Sequence, residues 1–180
     1  MSTDTDAQCL ETFPTWLRTL GADAEAMADA LSAELPEAAR RALASGLNYV
    51  FKSVDLIPDG IDDIGYLDDA FVLRVACEQA VAGGASAEAH PRVAALAGEV
   101  PLVKDFLGAE YPRLEAYVQG LKRGAARGRS VDDILGNEAV RGDFVADVKG
   151  FARSYATPTF AREAKNLIKL RAFFDAKLPR

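Results

Sequence analysis

The sequence has few of the residues on which common catalytic and metal centres depend. His90 is the only histidine, so sites that need two imidazoles, including histidine-rich zinc centres, are excluded. It stands directly before Pro91, which favours an exposed position at a helix start over a catalytic role. Cys9 and Cys77 are the only cysteines, and their distant spacing forms neither a disulfide framework nor a metal knuckle. Because such thiols are typical of a reducing compartment, we expect a cytoplasmic location.

Long apolar runs are also missing. Residues 42–51 are free of charge, but a transmembrane helix requires about 20 apolar residues. We therefore expect a soluble chain with no transmembrane segment. Residues 1–6 are acidic and polar and lack the basic start and apolar core of a secretion signal, so we expect no such signal. The chain has 180 residues, 49% of them hydrophobic and 27% charged, which is typical of one folded domain.

Charge is distributed unevenly along the chain. Residues 1–90 carry 5 basic and 16 acidic side chains, whereas residues 91–180 carry 16 basic and 11 acidic ones. The overall net charge of −6 argues against a nucleic-acid partner. The asymmetry could orient a partner, or it could be neutralised within the fold. We favour internal compensation.

Apolar residues recur with helical spacing throughout, and no alternating strand pattern interrupts them. The sequence therefore predicts an all-α fold, a compact multi-helix bundle that forms a single domain over residues 1–180. Residues 36–82 are expected to form a central helix–loop–helix, because Pro58 forces a loop between two apolar helical patterns. Its second helix is apolar on most sides, which is typical of a helix at the middle of a core.

The flanking segments are expected to complete the bundle. Residues 1–35 predict two short N-terminal helices interrupted near Gly21, with Asp23 as the N-cap of the second. Residues 86–180 predict the C-terminal helices, the last of which should begin at Thr157-Pro158. Within this part, Ser130 and the aspartate three residues later have the spacing of a capping box.

The most informative segment runs from Asn48 to Leu73 and contains a turn rich in aspartate. Its motif consists of Asp55-Leu56-Ile57-Pro58-Asp59, Ile61, Gly65-Tyr66, Asp68-Asp69 and the apolar helix that follows. On these residues the chain resembles the YkvA-like family, a widespread bacterial domain whose biochemical role is unassigned. The resemblance covers about a fifth of the chain, and it implies a bacterial protein built around the same helix–loop–helix.

Four positions depart from the family pattern. Val54 and Asp62 stand where relatives usually have proline, and Gly60 and Asp63 stand where relatives tend to have bulky apolar residues. Many relatives look membrane-associated through apolar helices that flank the loop. In this chain the loop is more polar and the flanking helices carry charges. We therefore predict a soluble variant, in which the family's association with membranes does not apply.

Six carboxylates lie within the fifteen residues from 55 to 69. Mg²⁺ and Ca²⁺ prefer oxygen ligands, and an antiparallel helix pair would bring the two ends of this segment together. The candidate metal ligands are Asp55, Asp59, Asp68 and Asp69. The spacing is not that of an EF-hand, since Ile57 occupies a ligand position and no glutamate closes the loop.

A structural role for the same aspartates is the alternative, and we favour it. Aspartates commonly bond the free backbone N–H groups of helix starts and turns. Asp62, Asp63, Asp68 and Asp69 would then cap the second helix or complement its dipole. Asp55 and Asp59 would fix the turn around Pro58 or pair with arginine side chains of the basic half.

Residues 120–129 form a basic segment, which is expected to be an exposed connection. Its basic side chains, together with the arginine that ends the segment, could contact phosphate; they are Lys122, Arg123, Arg127 and Arg129. However, Gly124 and Gly128 do not have the spacing of a phosphate-binding loop.

Two functional hypotheses follow. The first is a non-enzymatic helical module that binds a protein partner or an anionic membrane surface and needs no cofactor. It rests on the charge asymmetry, on the absence of a catalytic constellation, and on a basic amphipathic C-terminal helix. The basic side chains of that helix are Arg162, Lys165, Lys169, Arg171 and Lys177. The second is a divalent-metal-dependent hydrolase that uses the four candidate ligands to hold Mg²⁺ or Ca²⁺.

Overall fold

The computed structural model describes residues 3–180, with side chains from Asp4 onwards. Its α-helices are α1 (Thr3–Leu31), α2 (Glu37–Tyr49), α3 (Leu67–Ala82), α4 (Pro91–Ala97), α5 (Val100–Leu107), α6 (Tyr111–Leu121), α7 (Val131–Gly136), α8 (Glu138–Ser154) and α9 (Ala164–Lys177). A 3₁₀ turn, Gly108–Glu110, joins α5 to α6. Two short strands, β1 (Ala125–Ala126) and β2 (Arg129–Ser130), pair antiparallel between α6 and α7. The architecture confirms the predicted all-α bundle.

Helix α3 lies at the centre of the bundle, in contact with α1, α2, α4, α5 and α6. All its residues from Leu67 to Cys77 are buried, including the charged ones. The ring of Phe71 packs against four other rings, those of Phe13, Trp16, Phe106 and Phe174, with centroids 5.1–5.8 Å apart. Such aromatic contacts add to the free energy gained by burial alone. The second helix of the predicted helix–loop–helix is therefore central, as its apolar pattern indicated.

Helix α1 is continuous, so the predicted break near Gly21 is wrong. A Cβ atom at Gly21 would lie 3.1 Å from the carbonyl oxygen of Ala152 on α8. The glycine therefore allows two helices to approach closely, and the helix continues through it. Asp23 is not an N-cap either. Its buried carboxylate accepts a hydrogen bond from Arg92 Nη2 at 2.5 Å.

The capping box predicted at Ser130 is confirmed at the start of α7. The Ser130 hydroxyl accepts a hydrogen bond from the N–H of Asp133, and the Asp133 carboxylate accepts one from the N–H of Ser130, both at 3.0 Å. The two strands before it were not predicted. They are too short to show the alternation of apolar and polar residues by which a strand is recognised.

The last helix begins at Ala164, so the start predicted at Thr157-Pro158 is wrong. The segment before α9 is extended because its backbone is bonded by side chains. The N–H of Ala161 donates to Asp63 Oδ1 at 2.8 Å, and its carbonyl accepts from Asn166 Nδ2 at 2.8 Å. Asp63 lies 98 residues before Ala161 and Asn166 lies 5 residues after it. A pattern of residues at a helix start does not reveal such bonds.

Ion pairs connect the acidic first half of the chain to the basic second half. They are Asp6–Arg171, Glu11–Arg162, Asp23–Arg92, Asp29–Lys149 and Glu78–Lys104. The charge asymmetry is thus compensated within the fold, as we favoured. No helix among residues 3–180 has the length and apolar character needed to cross a bilayer.

Candidate functional site

Asp68 fastens the loop between α2 and α3. The Tyr49 hydroxyl donates a hydrogen bond to Asp68 Oδ2 at 2.6 Å, and the N–H of Ile57 donates to the same oxygen at 3.0 Å. The Tyr49 hydroxyl in turn accepts from the N–H of Leu56 at 2.8 Å. Asp68 therefore holds the backbone that precedes Pro58, a role that the sequence pattern had assigned to other aspartates of the loop.

The start of α3 has no side-chain cap. Its N-cap residue is Tyr66, which makes no capping hydrogen bond and has a left-handed backbone with φ of 65°. Asp63 bonds the backbone of Ala161 instead of the helix. Asp68 and Asp69 lie in the first turn, where the helix dipole favours negative charge. The predicted capping of α3 by these aspartates is therefore wrong. The positions of Asp68 and Asp69 do fit the predicted interaction with the helix dipole.

A close backbone approach sets the position of Asp59. A Cβ atom at Gly65 would lie 2.1 Å from the Asp59 carbonyl oxygen and 3.0 Å from that of Ile61. Only glycine fits there, because the first distance is far shorter than any real contact. The Gly65 N–H also donates to the Ile61 carbonyl at 2.9 Å. Gly60, by contrast, faces open space.

The structure brings the four candidate ligands, Asp55, Asp59, Asp68 and Asp69, into one electrostatically coupled group, which we call the acid cluster. Asp68 is 0% and Asp69 2% exposed. Burial raises the pKa of Asp68 to about 7 and that of Asp55 to about 6. Burial also raises the pKa of Asp69, and the neighbouring charges of Asp68, Asp59 and Asp55 raise it further. Each carboxylate thus makes the next harder to ionise.

Three buried oxygens of the acid cluster have no hydrogen-bond partner among the residues that the structure describes. They are Asp55 Oδ1, Asp68 Oδ1 and Asp69 Oδ2. No basic side chain in the described part of the chain forms an ion pair with any cluster member. The nearby Lys52 lowers the pKa of Asp55, but its ammonium lies 5.6 Å from the centre of the Tyr117 ring. Buried carboxylates are costly unless a proton or a cation neutralises them.

The cluster does not provide a complete set of metal ligands by itself. Among residues 3–180, no three His, Cys, Asp or Glu side chains converge on one position that could hold a metal ion. A cation bound here would take one or two carboxylates from the chain and its remaining ligands from water or from a second molecule. Mg²⁺ is commonly held in this way, whereas Ca²⁺ usually takes about 6–8 oxygens.

A cleft of about 540 Å³ opens beside the acid cluster. It lies between the helix–loop–helix, the β1–β2 turn and α8, and its lining includes Phe51, Asp59, Tyr66, Arg127, Gly150 and Arg153. The Tyr66 hydroxyl is in hydrogen-bonding reach of Asp59 and lowers the pKa of that carboxyl, although burial raises it overall. Asp59 therefore belongs to both the cluster and the cleft. His90 lines a different cavity, beside Arg92.

The β1–β2 turn places an arginine at this cleft. Arg127 and Gly128 form a two-residue turn with φ of 49° and 75°. Two positive φ values are typical of a type I′ turn, which favours Asn-Gly. The Arg127 guanidinium lies 4.6 Å from the centre of the Phe51 ring and forms no ion pair in the described part of the chain.

Several residues of the site were not found from the sequence. Tyr49 and Arg153 lie in ordinary amphipathic helices, and no local pattern marks them. Tyr66 belongs to the family motif, so the motif itself could have indicated it. Arg127 was considered only as part of an exposed basic segment. The four carboxylates were found because aspartates so concentrated are unusual in any helical chain.

Fold and site together define an all-helical protein with an uncompensated carboxylate cluster at the joint of a helix–loop–helix. Residues 39–74 match a family described as a protein of unknown function, DUF1232. The match includes α2, the loop and the first half of α3, and hence Tyr49 and the whole acid cluster. The YkvA-like resemblance is consistent with this family. No curated protein and no solved structure matches the chain.

Proposed function

We propose that this chain is a non-enzymatic helical binding module whose acid cluster takes up a divalent cation. The observation that carries the proposal is the set of three buried carboxylate oxygens without partners. The fold does provide arginines to a buried carboxylate elsewhere, since Asp23 is paired with Arg92 at 2.5 Å and Arg74 at 3.7 Å. Within residues 3–180 the acid cluster receives no such partner, so either bound protons or a bound cation must neutralise it.

The chemistry of the cluster favours Mg²⁺ or Mn²⁺. Its donors are all carboxylate oxygens, which hard cations prefer, and too few converge to satisfy Ca²⁺. Asp59 is exposed and lines the cleft, so it is the member of the cluster that a cation entering from the cleft would meet first. Asp68 is held by Tyr49 and Ile57 and presents its second oxygen without rearrangement.

Thermal unfolding and calorimetric titration with Mn²⁺ test the proposal. Wild-type protein should be stabilised, by about 2.7 kcal/mol when the cation is at one hundred times its dissociation constant. Asp69→Asn and Asp59→Asn should abolish this stabilisation because each removes a cluster carboxylate. Asp62→Asn is the matched control, since it lies in the same loop but outside the cluster and its backbone carbonyl bonds Lys169.

Two results would contradict the proposal. One is a wild type whose unfolding temperature and titration heat do not respond to millimolar Mn²⁺ or Mg²⁺. The other is an equal response in wild type, Asp69→Asn and Asp62→Asn, which would place the cation elsewhere. Circular dichroism of each variant confirms that the comparison concerns folded protein.

Docking to a protein partner or an anionic membrane through α9 has less support. Of the five candidate basic side chains, Arg162 lies before α9, and four already bond to the chain itself: Arg162 to Glu11, Lys165 to Glu163, Lys169 to the Asp62 carbonyl and Arg171 to Asp6. Only Lys177, within the described residues, is left without such a partner. We therefore assign the function to the loop. A cytoplasmic location remains a prediction, with which the two buried free thiols agree.

A metal-dependent hydrolase is the second candidate. The observation that favours it is that Asp59 borders both the cluster and the open cleft, so a bound cation would face a substrate there. Release of p-nitrophenol from p-nitrophenyl phosphate in the presence of Mn²⁺ tests this candidate. Turnover that is lost in Asp59→Asn and kept in Asp62→Asn would establish the enzyme, whereas cation binding without turnover would support the binding module.

A further inference from the structure

The cleft beside the acid cluster carries positive charge that the fold itself does not use. Arg127 and Arg153 both line it, and neither forms an ion pair within residues 3–180. Their neighbour Arg129 shows the structural alternative, since it pairs with Asp147 at 2.7 Å. Arg129 has its charge neutralised by a carboxylate, whereas Arg127 and Arg153 do not, and two unpaired arginines at one cleft favour an anionic ligand.

Arg127 is an unusual residue for the position it occupies. Its backbone is left-handed, with φ of 49°, which is unfavourable for a residue other than glycine, asparagine or aspartate. The turn by itself would be served better by asparagine. The guanidinium plane is supported by the Phe51 ring, and its N–H groups are left available at the edge of the cleft.

We propose that this cleft binds the phosphate group of a small phosphomonoester, between the guanidinium groups of Arg127 and Arg153 and a cation held by the acid cluster. The inference rests on the proposed function, because the cation completes the site. An anion alone would face the Asp59 carboxylate in the same cleft, and a divalent ion between them removes that repulsion.

Three observations fit this ligand class. Arginine binds phosphate through two parallel N–H bonds, and Mg²⁺ is typically held by one or two carboxylates together with substrate phosphates. Because no three carboxylates converge within residues 3–180, a cation bound at the cluster would need further oxygen ligands, which a phosphate can supply. The volume of about 540 Å³ is in the range of small-molecule sites, roughly 300–1,000 Å³.

Calorimetric titration with glycerol phosphate and with inorganic phosphate tests the inference, in Mg²⁺ and in EDTA. We expect affinity at least about tenfold higher in Mg²⁺, a coupling in the usual range for two ligands that contact each other. Arg153→Gln should weaken phosphate binding about tenfold or more, because it removes a charge-assisted hydrogen bond. Arg123→Gln is the matched control, since Arg123 lies outside the cleft and makes no side-chain bond in the described residues.

Arg127→Asn separates binding from folding. Asparagine suits the turn, so the unfolding temperature should stay the same or rise while phosphate affinity falls about tenfold. A steric pair gives an independent readout. Gly150 lines the cleft and Gly142 on the same helix does not, so Gly150→Leu should block the cleft and Gly142→Leu should leave it open. Both positions tolerate a side chain, because a Cβ atom at either one meets nothing within 4 Å.

The outcomes distinguish the two proposals. If Mg²⁺ binds and phosphate affinity is the same in wild type, Arg127→Asn and Gly150→Leu, this inference is wrong and the proposed function stands. If phosphate binds through the arginines equally in Mg²⁺ and in EDTA, the joint site is also wrong. If neither cation nor phosphate binds, both proposals fail. Retention on phosphatidate-containing vesicles that is lost in Arg127→Asn would identify the phosphate source as a lipid headgroup, and competition by glycerol phosphate would confirm the shared site.

Discussion

The chain buries aspartate in two places and treats the two in opposite ways. In the Asp23 network, formed by Asp23, Arg74, Arg92 and Glu99, the Asp23 carboxylate accepts two hydrogen bonds from Arg92 at 2.5 and 2.8 Å. Arg74 lies 3.7 Å from the same carboxylate and donates to Glu99 at 2.7 Å. In the acid cluster Asp68 and Asp69 are as buried as Asp23, but the cluster has no ion pair and three unpartnered oxygens within residues 3–180.

In our proposal, the charges of the Asp23 network support the fold, whereas those of the acid cluster are neutralised by a ligand. The Arg74 guanidinium is completely buried, lies 3.9 Å from the Trp16 ring centre, and has a carboxylate on each side, although its Nη2 group makes no hydrogen bond within residues 3–180. Removing one member of such a network leaves its partners unpaired. In the acid cluster the unpaired state is already the native one, so removing a carboxylate should relieve repulsion.

The largest effect is expected in the Asp23 network. Arg74→Met should lower the free energy of unfolding by about 3–5 kcal/mol, because Glu99 and Asp23 lose their buried cation. Urea denaturation in EDTA measures this loss. The comparison predicts that Asp69→Asn, measured alongside, leaves the free energy of unfolding unchanged or higher. Equal losses in the two variants would abolish the distinction between the sites.

The metal-free protein should lose stability as the pH rises from about 4 to about 7. Asp68 has its pKa raised to about 7 in the folded chain, whereas an unfolded aspartate titrates near 3.9. The folded state therefore binds the proton more tightly, and its advantage disappears as that proton is released. At about 1.4 kcal/mol per pKa unit, the decrease between pH 5 and pH 8 is on the order of 3 kcal/mol.

Urea denaturation at the two pH values in EDTA measures this decrease, and Mg²⁺ should reduce it at pH 8. A free energy of unfolding that rises with pH in the metal-free protein would show that the cluster is compensated after all. The Asp62→Asn control should follow the wild type.

Gly65→Ala should cost about 2 kcal/mol, in the range found for side chains forced into packed sites, because its Cβ atom would collide with the Asp59 carbonyl. Since the loop must shift, Mn²⁺ affinity should fall as well. Gly60→Ala, five residues earlier in open space, is the control and should change neither quantity. Thermal unfolding and Mn²⁺ titration together separate a local shift from general instability.

The smallest effect is expected at the exposed ion pairs between the two halves of the chain. Arg162→Gln breaks the pair with Glu11, in which both side chains are more than half exposed. Such pairs contribute below about 1 kcal/mol, and salt weakens them further. A loss as large as that of Arg74→Met would show that pairing, and not burial, determines the energetics here.

Local patterns predicted what local interactions determine. Apolar residues on most sides of α3 correctly indicated that the helix is central. Ser130 and Asp133 form the expected capping box. The errors came from contacts that lie far apart in sequence. Gly21 looked like a helix break because its packing partner, Ala152, is on α8. The start of α9 was misplaced because Asp63 holds Ala161 in an extended segment.

The site follows the same division. Its carboxylates are close together in the sequence and were identified there, but whether arginines would pair with them depends on tertiary structure. Arg127 and Arg153 reach the cleft from a turn and a helix well over fifty residues away. No periodic pattern in the sequence shows that these arginines lie near the carboxylates. The sequence therefore indicated the carboxylates of the proposed site but not its arginines.

The central position of α3 has a consequence for the segment shared with the DUF1232 family. That segment contains α2 and the first half of α3, whereas the surfaces of α3 are covered by α1, α4, α5 and α6 as well. A peptide limited to residues 39–74 would therefore expose a wide apolar surface and would self-associate in water instead of folding. In this chain α1, α4, α5 and α6 cover that surface, so the flanking residues are as necessary to the fold as the matched segment itself.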